Sequence, residues 1–228
     1  VNAFYRTVVE EISGLIPKGS VSVEVYADQT TMADAMLAQG REFFQWVPNS
    51  HIKFPTTRPG LSAAQRAVSE GMRVNMTLCF SQAQAAAVYA ATRGATKGQV
   101  FVSPFVGRLD DQGENGMDLI ANIIRMYKGG DGHVEVLTAS VRSLAHLLYA
   151  LALGSDIVTA PFKVLKECGE KGLPLPGADF HYGADMLASI PYQDIALDQP
   201  WQEYDIVHEL TNIGIEKFST DWNALITS

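Results

Sequence analysis

Cysteine is nearly absent: the 228 residues include two, Cys79 and Cys168. Two distant thiols with no CxxC exclude a disulfide scaffold and a cysteine-held metal centre, and they fit a reducing, cytoplasmic compartment. Basic residues are scarce as well, with 17 Lys and Arg against 25 Asp and Glu and a formal net charge of -8. Such a chain lacks the electrostatic footprint that grips a nucleic-acid backbone. No uncharged apolar run reaches the roughly 18 residues of a membrane span, so no membrane partner is expected. Charged residues are only 18% and apolar residues 47%, which excludes a disordered chain. The histidines, at 51, 133, 146, 181 and 208, show no ligand spacing, so no metal is expected. Gly129-Gly130-Asp131-Gly132 precedes a strand instead of following one, so it is not a phosphate or dinucleotide loop.

What is present is alternation. Short apolar strands are expected at 21–25, 51–54, 74–78, 100–103, 134–139 and 157–160. Helical patterns are expected at 31–46, 61–70, 82–92, 117–128 and 143–153, several closed by a Gly at the C-cap. Repeats of roughly 22–35 residues predict parallel strands joined by crossover helices. A doubly wound sheet and a (β/α)8 barrel compete for this pattern.

Strand parity separates them. Val23, Val25, Ile52, Phe54, Val74, Met76 and Leu78 share one parity, while Ser22, Glu24, Lys53, Asn75, Thr77, Ser103, Thr138 and Ser140 are assigned to a polar one. Doubly wound strands are covered on both faces and read apolar on both. A polar set repeated along successive strands fits a barrel with helices outside and a site inside, late in the strands. The chain is read as one barrel domain over residues 1–228. Residues 170–207, which open with a Pro- and Gly-rich break, are expected to be an irregular insertion, and 208–228 a terminal helix.

Lys53 is the sharpest chemical signal. Lysine is rarely buried unpaired, and burial lowers its pKa and turns it into an amine nucleophile. From its own strand, a lysine pointing into water is the commoner case. The neighbours change the weighing: Asn75, Thr77, Ser103, Ser140 and Glu24 are all placed on the same inner face by parity. Short polar groups around an amine can hold substrate hydroxyls, seat a water and relay protons. Arg108 and Arg142 follow just past strand ends, where paired guanidinium groups suit a phosphate. Taken singly, each fits a surface ion pair better, for instance Arg108 with Asp110 or Asp111. His51 shares the parity of Lys53 but lies deeper and is expected to be structural, and Cys79 is expected to be packed core.

Together, Val-Ser-Val-Glu-Val, Ile-Lys-Phe-Pro-Thr-Thr, Asn-Met-Thr-Leu-Cys-Phe-Ser, Ser-Pro-Phe-Val-Gly-Arg and Ala-Ser-Val-Arg, in this order and spacing, resemble the transaldolase family of class I aldolase-type barrels. The resemblance runs from about Gly19 to Pro161 and resumes from Leu210 to Trp222. It implies a Schiff-base lysine at Lys53, with Glu24 and Thr77 orienting a proton-relaying water. It implies that Asn75 and Ser103 bind the dihydroxyacetone portion, and that Arg108 and Arg142, with Ser140 beside them, bind phosphate. Phe105 stands where the related fructose-6-phosphate aldolases carry Tyr, which favours group transfer. The implied reaction moves a dihydroxyacetone unit from sedoheptulose 7-phosphate to glyceraldehyde 3-phosphate, giving erythrose 4-phosphate and fructose 6-phosphate in the pentose phosphate pathway. No cofactor is implied beyond the covalent Schiff base. The partners are sugar phosphates and, at family level, further copies of the chain.

Departures from the family pattern set two alternatives. The six units correspond to strands three to eight of the family barrel, and the sequence opens Val1-Asn2-Ala3 where the family's second helix would begin. The chain is therefore expected to lack the first two β-α units and their acid/base Asp; Asp28 lies at a different strand end. An acceptor-independent fructose-6-phosphate aldolase is one alternative, and an inactive or partial chain is the other. Residues 170–207 have no counterpart in the motif reading.

Overall fold

The computed structural model of the chain describes residues 2–177, 180, 182–184 and 186–227. Its strands are β1 (Val21–Glu24), β2 (Ser50–Pro55), β3 (Val74–Cys79), β4 (Val100–Pro104), β5 (Val134–Thr138) and β6 (Ile157–Val158). They form one parallel sheet whose spatial order is the order of the sequence. That order never reverses, whereas a doubly wound sheet must contain a switch point. The helices are α1 (Asn2–Leu15), α2 (Ala33–Phe44), α3 (Arg58–Ser69), α4 (Gln82–Ala91), α5 (Val106–Asp110), α6 (Gly116–Tyr127), α7 (Leu144–Leu153), α8 (Phe162–Glu170) and α9 (Glu209–Thr227).

Side chains show the sheet to be curled. The Asn75 amide of β3 donates to Ser22 Oγ of β1 over 2.9 Å, and His51 of β2 stacks on Phe101 of β4 at 4.1 Å between centroids. Each contact skips a strand. In a flat sheet such strands lie roughly 9–10 Å apart, so direct bonding means that the sheet closes toward this face. The result is part of a (β/α)8-type barrel, as expected from parity.

The opposite face is the main core. Val23, Ile52, Phe54, Val74, Met76, Val100 and Val102 are fully buried there, packed with Leu37, Leu61, Ala64, Ala85 and Ile120 of the helices. Helix starts follow their caps: Thr57, Ser81 and Ser143 accept the backbone N–H of Gly60, Gln84 and His146. The Thr57 cap explains why α3 begins at Arg58, ahead of the expected Leu61.

Parity fails on β5. Phe101 pairs with Glu135, and Leu137 and Ala139 cluster with Phe101 and Phe105 on the inner face. Thr138 therefore faces outward, where its hydroxyl meets Ser155 Oγ at 2.8 Å. Ser140 lies beyond the strand with φ of 60°, so alternation no longer governs it. The inner face is polar on β1–β3 and largely apolar from β4 to β5.

The described residues between 171 and 208 form a strap along the helical layer, with one 3-10 turn among them at Trp201–Glu203. Asn115 N–H donates to Ala188 O, Asn122 to Ile190 O, and Gln82 exchanges two bonds with Gln193 at 3.0 and 2.8 Å. Trp201 Nε1 donates to Gln65 and Arg58 to Gln202 O. The strap thus crosses α6, α4 and α3 and delivers α9 to the ends of β1 and β3. There Thr211 Oγ1 donates to Leu78 O, and Asn223 to the Tyr26 hydroxyl. Among the described residues, no helix is long and apolar enough to cross a membrane.

Candidate active site

Glu24 ends β1 and pairs in register with Lys53 of β2. Lys53 Nζ donates to Glu24 Oε2 over 2.8 Å, with both side chains half-buried. The lysine is therefore neither fully buried nor unpaired, and its partner is the Glu24 that parity placed on the same inner face. Its charge has a partner because a lone one would lose several kcal/mol of hydration. The Glu24 backbone N–H donates to the Tyr5 hydroxyl of α1 over 3.0 Å. Burial raises the Tyr5 pKa, so the phenol stays neutral in that role.

Beside this pair runs a polar row. Asn75 stands in register with Lys53, and Ser103 Oγ donates to Asn75 Oδ1 over 2.6 Å. The row Ser103–Asn75–Ser22 is continuous across β4, β3 and β1, buried at Ser103 and Asn75 and exposed at Ser22. Thr77 stands in register with Pro55, fully buried, and its hydroxyl has no hydrogen-bond partner. Its carbonyl is occupied twice, by the Thr56 N–H and by the Thr56 hydroxyl.

β3 breaks its alternation immediately after Thr77. The register shifts between Met76 and Cys79, and Leu78 adopts φ of 57°. A left-handed branched residue is strained and persists only where its surroundings fix it. Here Thr211 of α9 holds the Leu78 carbonyl. Cys79 is buried and its thiol is pushed up to about 12 by that burial, which fits inert core.

β4 continues into Phe105 and the short helix α5. The Phe105 ring centroid lies 6.0 Å from Lys53 Nζ and 5.4 Å from Arg108 Cζ. One ring therefore faces both cations. Arg108 is half-buried, and no carboxylate lies within ion-pair distance of it among the described residues. Burial and the neighbouring Arg142 lower its pKa. Arg142 is exposed and bonds Asp111 at 2.8 Å, while Asp110 bonds His146. The anticipated surface pair thus forms at Arg142, and Arg108 has no ion-pair partner among the described residues.

Gly107 lets these loops meet: a Cβ there would lie 2.4 Å from Ser140 O and from Arg142 Nε. Ser140 O accepts the Gly107 N–H, which ties the Ser140–Arg142 turn to the start of α5. Between β1, α1 and α9 lies a cavity of about 300 Å³, lined by Glu24, Tyr5, Phe43, Phe218 and Trp222 among others.

The remaining sequence candidates are structural. His51 stacks on Phe101, and its Nε2–H donates to Gly98 O at 3.0 Å; burial lowers its pKa to about 4. Asp28 accepts from the Thr31 and Thr30 hydroxyls in a turn before α2, bonds that hold its carboxyl near 2. Asp131 caps His133 and Tyr89. No group of three or more His, Cys, Asp or Glu could hold a metal ion among the described residues, and His181 lies outside them.

Sequence reasoning missed Tyr5, which is remote from Glu24 in the chain. It also missed the approach of α9 through Gly214 and Phe218. An isolated Gly inside a helix was the available signal, because such a glycine points to close packing.

The site has relatives. A probable transaldolase of Dehalococcoides mccartyi is 44% identical over 221 residues, covering 97% of this chain and 81% of that protein. A probable transaldolase of a Roseiflexus species is 37% identical over 222 residues, with the same coverage of 97% and 81%. One from Caulobacter vibrioides is 44% identical over 160 residues, covering 70% and 69%. The profile described as transaldolase/fructose-6-phosphate aldolase matches residues 1–228, including the 170–207 segment that the motifs left unmatched. With that match across the whole length, the chain belongs to the transaldolase/fructose-6-phosphate aldolase family.

Proposed function

We propose that this chain is a transaldolase that captures a phosphorylated ketose on Lys53 and passes a dihydroxyacetone unit to an aldose phosphate. The observation that carries the reading is the shared ring of Phe105: the Lys53 amine lies 6.0 Å from its centroid, and Arg108, which has no ion-pair partner among the described residues, lies 5.4 Å from it. An amine for a carbonyl and a free guanidinium for a phosphate fit the two ends of one sugar phosphate.

In this reading, Lys53 gives up its shared proton and its amine adds to the ketose carbonyl. Loss of water then forms the imine. Glu24, at 2.8 Å, accepts and returns protons. The unpartnered Thr77 hydroxyl seats the water that relays them, since a buried hydroxyl left unbonded is costly. Asn75 and Ser103 bond the hydroxyls of the dihydroxyacetone portion. Cleavage of the C–C bond, with the proton of the adjacent C4 hydroxyl passing through the relaying water to Glu24, releases the aldose and leaves an enamine on Lys53, which stores the electron pair until an acceptor aldose arrives. Arg108 and Arg142, beside Ser140, hold the phosphate of each aldose in turn. The Phe105 ring offers no hydroxyl to protonate the enamine, which favours transfer over release of free dihydroxyacetone.

The test is reductive trapping. The chain is incubated with fructose 6-phosphate and borohydride, and the adduct is located by peptide mass spectrometry with Lys53→Ala as the control. An adduct on Lys53 is expected, and its absence from a folded sample would reject the reading. Acceptor dependence separates transfer from simple aldol cleavage: ketose consumption that proceeds equally without an aldose would favour an aldolase.

A further inference from the structure

We propose that Phe218 is a positioning residue: it holds Arg108 ready for phosphate, so that α9 sets the affinity for the phosphorylated end of the substrate. The proposal rests on the reading of Arg108 as a phosphate ligand. Arg108 Cζ lies 5.2 Å from the centroid of Phe218 and 5.4 Å from that of Phe105. Two rings against one guanidinium fix its plane by cation–π attraction while leaving its N–H donors for a ligand. An ion pair would fix it too, but would spend the charge, and no carboxylate stands within ion-pair distance of Arg108 among the described residues.

The helix is built to make this contact. Thr211, Gly214 and Phe218 follow one another at helical spacing along one stripe of α9. Thr211 Oγ1 donates to the carbonyl of Leu78, the left-handed residue that follows Thr77, over 2.9 Å. Gly214 lies so close that a Cβ would come 2.5 Å from Leu78 Cδ2 and 2.8 Å from the nearer Arg108 terminal nitrogen. The first residue anchors the helix to the strand, the second permits the approach, and the third places a ring on the guanidinium. Buried Gln84 of α4 locks the arrangement by donating to Thr211 Oγ1 over 2.8 Å and to Ile206 O at the end of the strap. This gives the strap over residues 188–206 a purpose: it returns the chain across the helices so that α9 arrives at this end of the sheet.

The chemistry at Lys53 does not use Phe218, so the two functions separate experimentally. Phe218→Leu keeps an apolar side chain but removes the ring, and Phe218→Tyr keeps the ring. Inorganic phosphate is titrated calorimetrically into each protein. Borohydride trapping on Lys53 is measured with fructose 6-phosphate and with unphosphorylated dihydroxyacetone. Phe218→Leu is expected to weaken phosphate binding and raise the half-saturating fructose 6-phosphate concentration by about three- to tenfold. Trapping of dihydroxyacetone should stay unchanged, and Phe218→Tyr should restore the phosphate terms. Gly214→Ala, whose methyl would displace the ends of the Leu78 and Arg108 side chains, should reproduce the loss.

Unchanged phosphate binding in Phe218→Leu would overturn the proposal. So would an equal loss of trapping for both ketoses, which would mark a merely structural role, or a parent protein that binds no phosphate. If the parent forms no Lys53 adduct but its phosphate affinity still depends on the Phe218 ring, the transaldolase reading falls and the positioning role stands.

Discussion

Glu24 and Lys53 stand side by side on adjacent parallel strands, and the amine donates directly to the carboxylate over 2.8 Å. The pair gives the lysine a fixed direction and an immediate proton acceptor. Glu24→Gln keeps the shape and removes the base. Borohydride trapping of fructose 6-phosphate should then slow by about 10²- to 10⁴-fold with the adduct still on Lys53. Trapping rates measured against time would check this, and an unchanged rate would take Glu24 out of the proton path.

Gly107 is the contact between the two arginine loops. A methyl there would overlap Ser140 O and the Arg142 side chain, each at under 3 Å. Backbone cannot yield as a flexible side chain can, so Gly107→Ala should push the Ser140–Arg142 turn away. Affinity for inorganic phosphate should fall by about tenfold, the value of one charge-assisted contact. Calorimetric titration reads this directly, and trapping of unphosphorylated dihydroxyacetone serves as the control for an intact amine site.

Most of the barrel was legible because β1 to β3 obey a period of two on a sheet with one apolar and one polar face. Ser22, Glu24, Lys53, Asn75 and Thr77 point inward as their parity requires. The reading failed where another force set direction. On β5, Leu137 and Ala139 pack inward against Phe101, so Thr138 turns to Ser155. At Leu78 and Ser140 a positive φ ends the alternation. Helix α5 has five residues, too few to show periodicity. The Arg108–Phe218 contact joins residues separated by most of the C-terminal half, and no local pattern reports it. Recurring motifs placed the arginines near a strand end, but only the structure showed which one Asp111 occupies.

Gln84 tests how firmly α9 is tied to the barrel. The fully buried amide accepts the Phe80 N–H at 2.7 Å and donates to Thr211, Ile206 and Thr56. Gln84→Leu preserves volume but leaves the Phe80 N–H and the Ile206 and Thr56 carbonyls without this partner. Each buried group left unsatisfied costs about 1–3 kcal/mol, so the loss of stability should reach about 2–4 kcal/mol. Urea unfolding would show it as a lower midpoint. A midpoint equal to that of the parent would mean that water reaches these groups once the amide is gone.

His51 makes the barrel floor sensitive to acid. Its ring is buried against Phe101, its Nε2–H is committed to Gly98 O, and Nδ1 is buried with no partner for a second proton. Burial lowers its pKa to about 4 from 6.5. Between those values the unfolded chain binds a proton that the folded chain refuses, so stability rises with pH across this window. The contribution is fully present above pH 6.5 and is lost as the pH falls toward 4, amounting to on the order of 3 kcal/mol. The Asp28 and Asp131 carboxyls, held near 2 from 3.8, act below this window, while His208, whose pKa burial also lowers from 6.5, acts within it and is common to both proteins. His51→Gln keeps an N–H for Gly98 and cannot titrate. Urea unfolding at pH 7 and pH 4.5 should show a large loss in the parent and a much smaller one in the variant. Equal losses in both would place the acid sensitivity elsewhere in the chain.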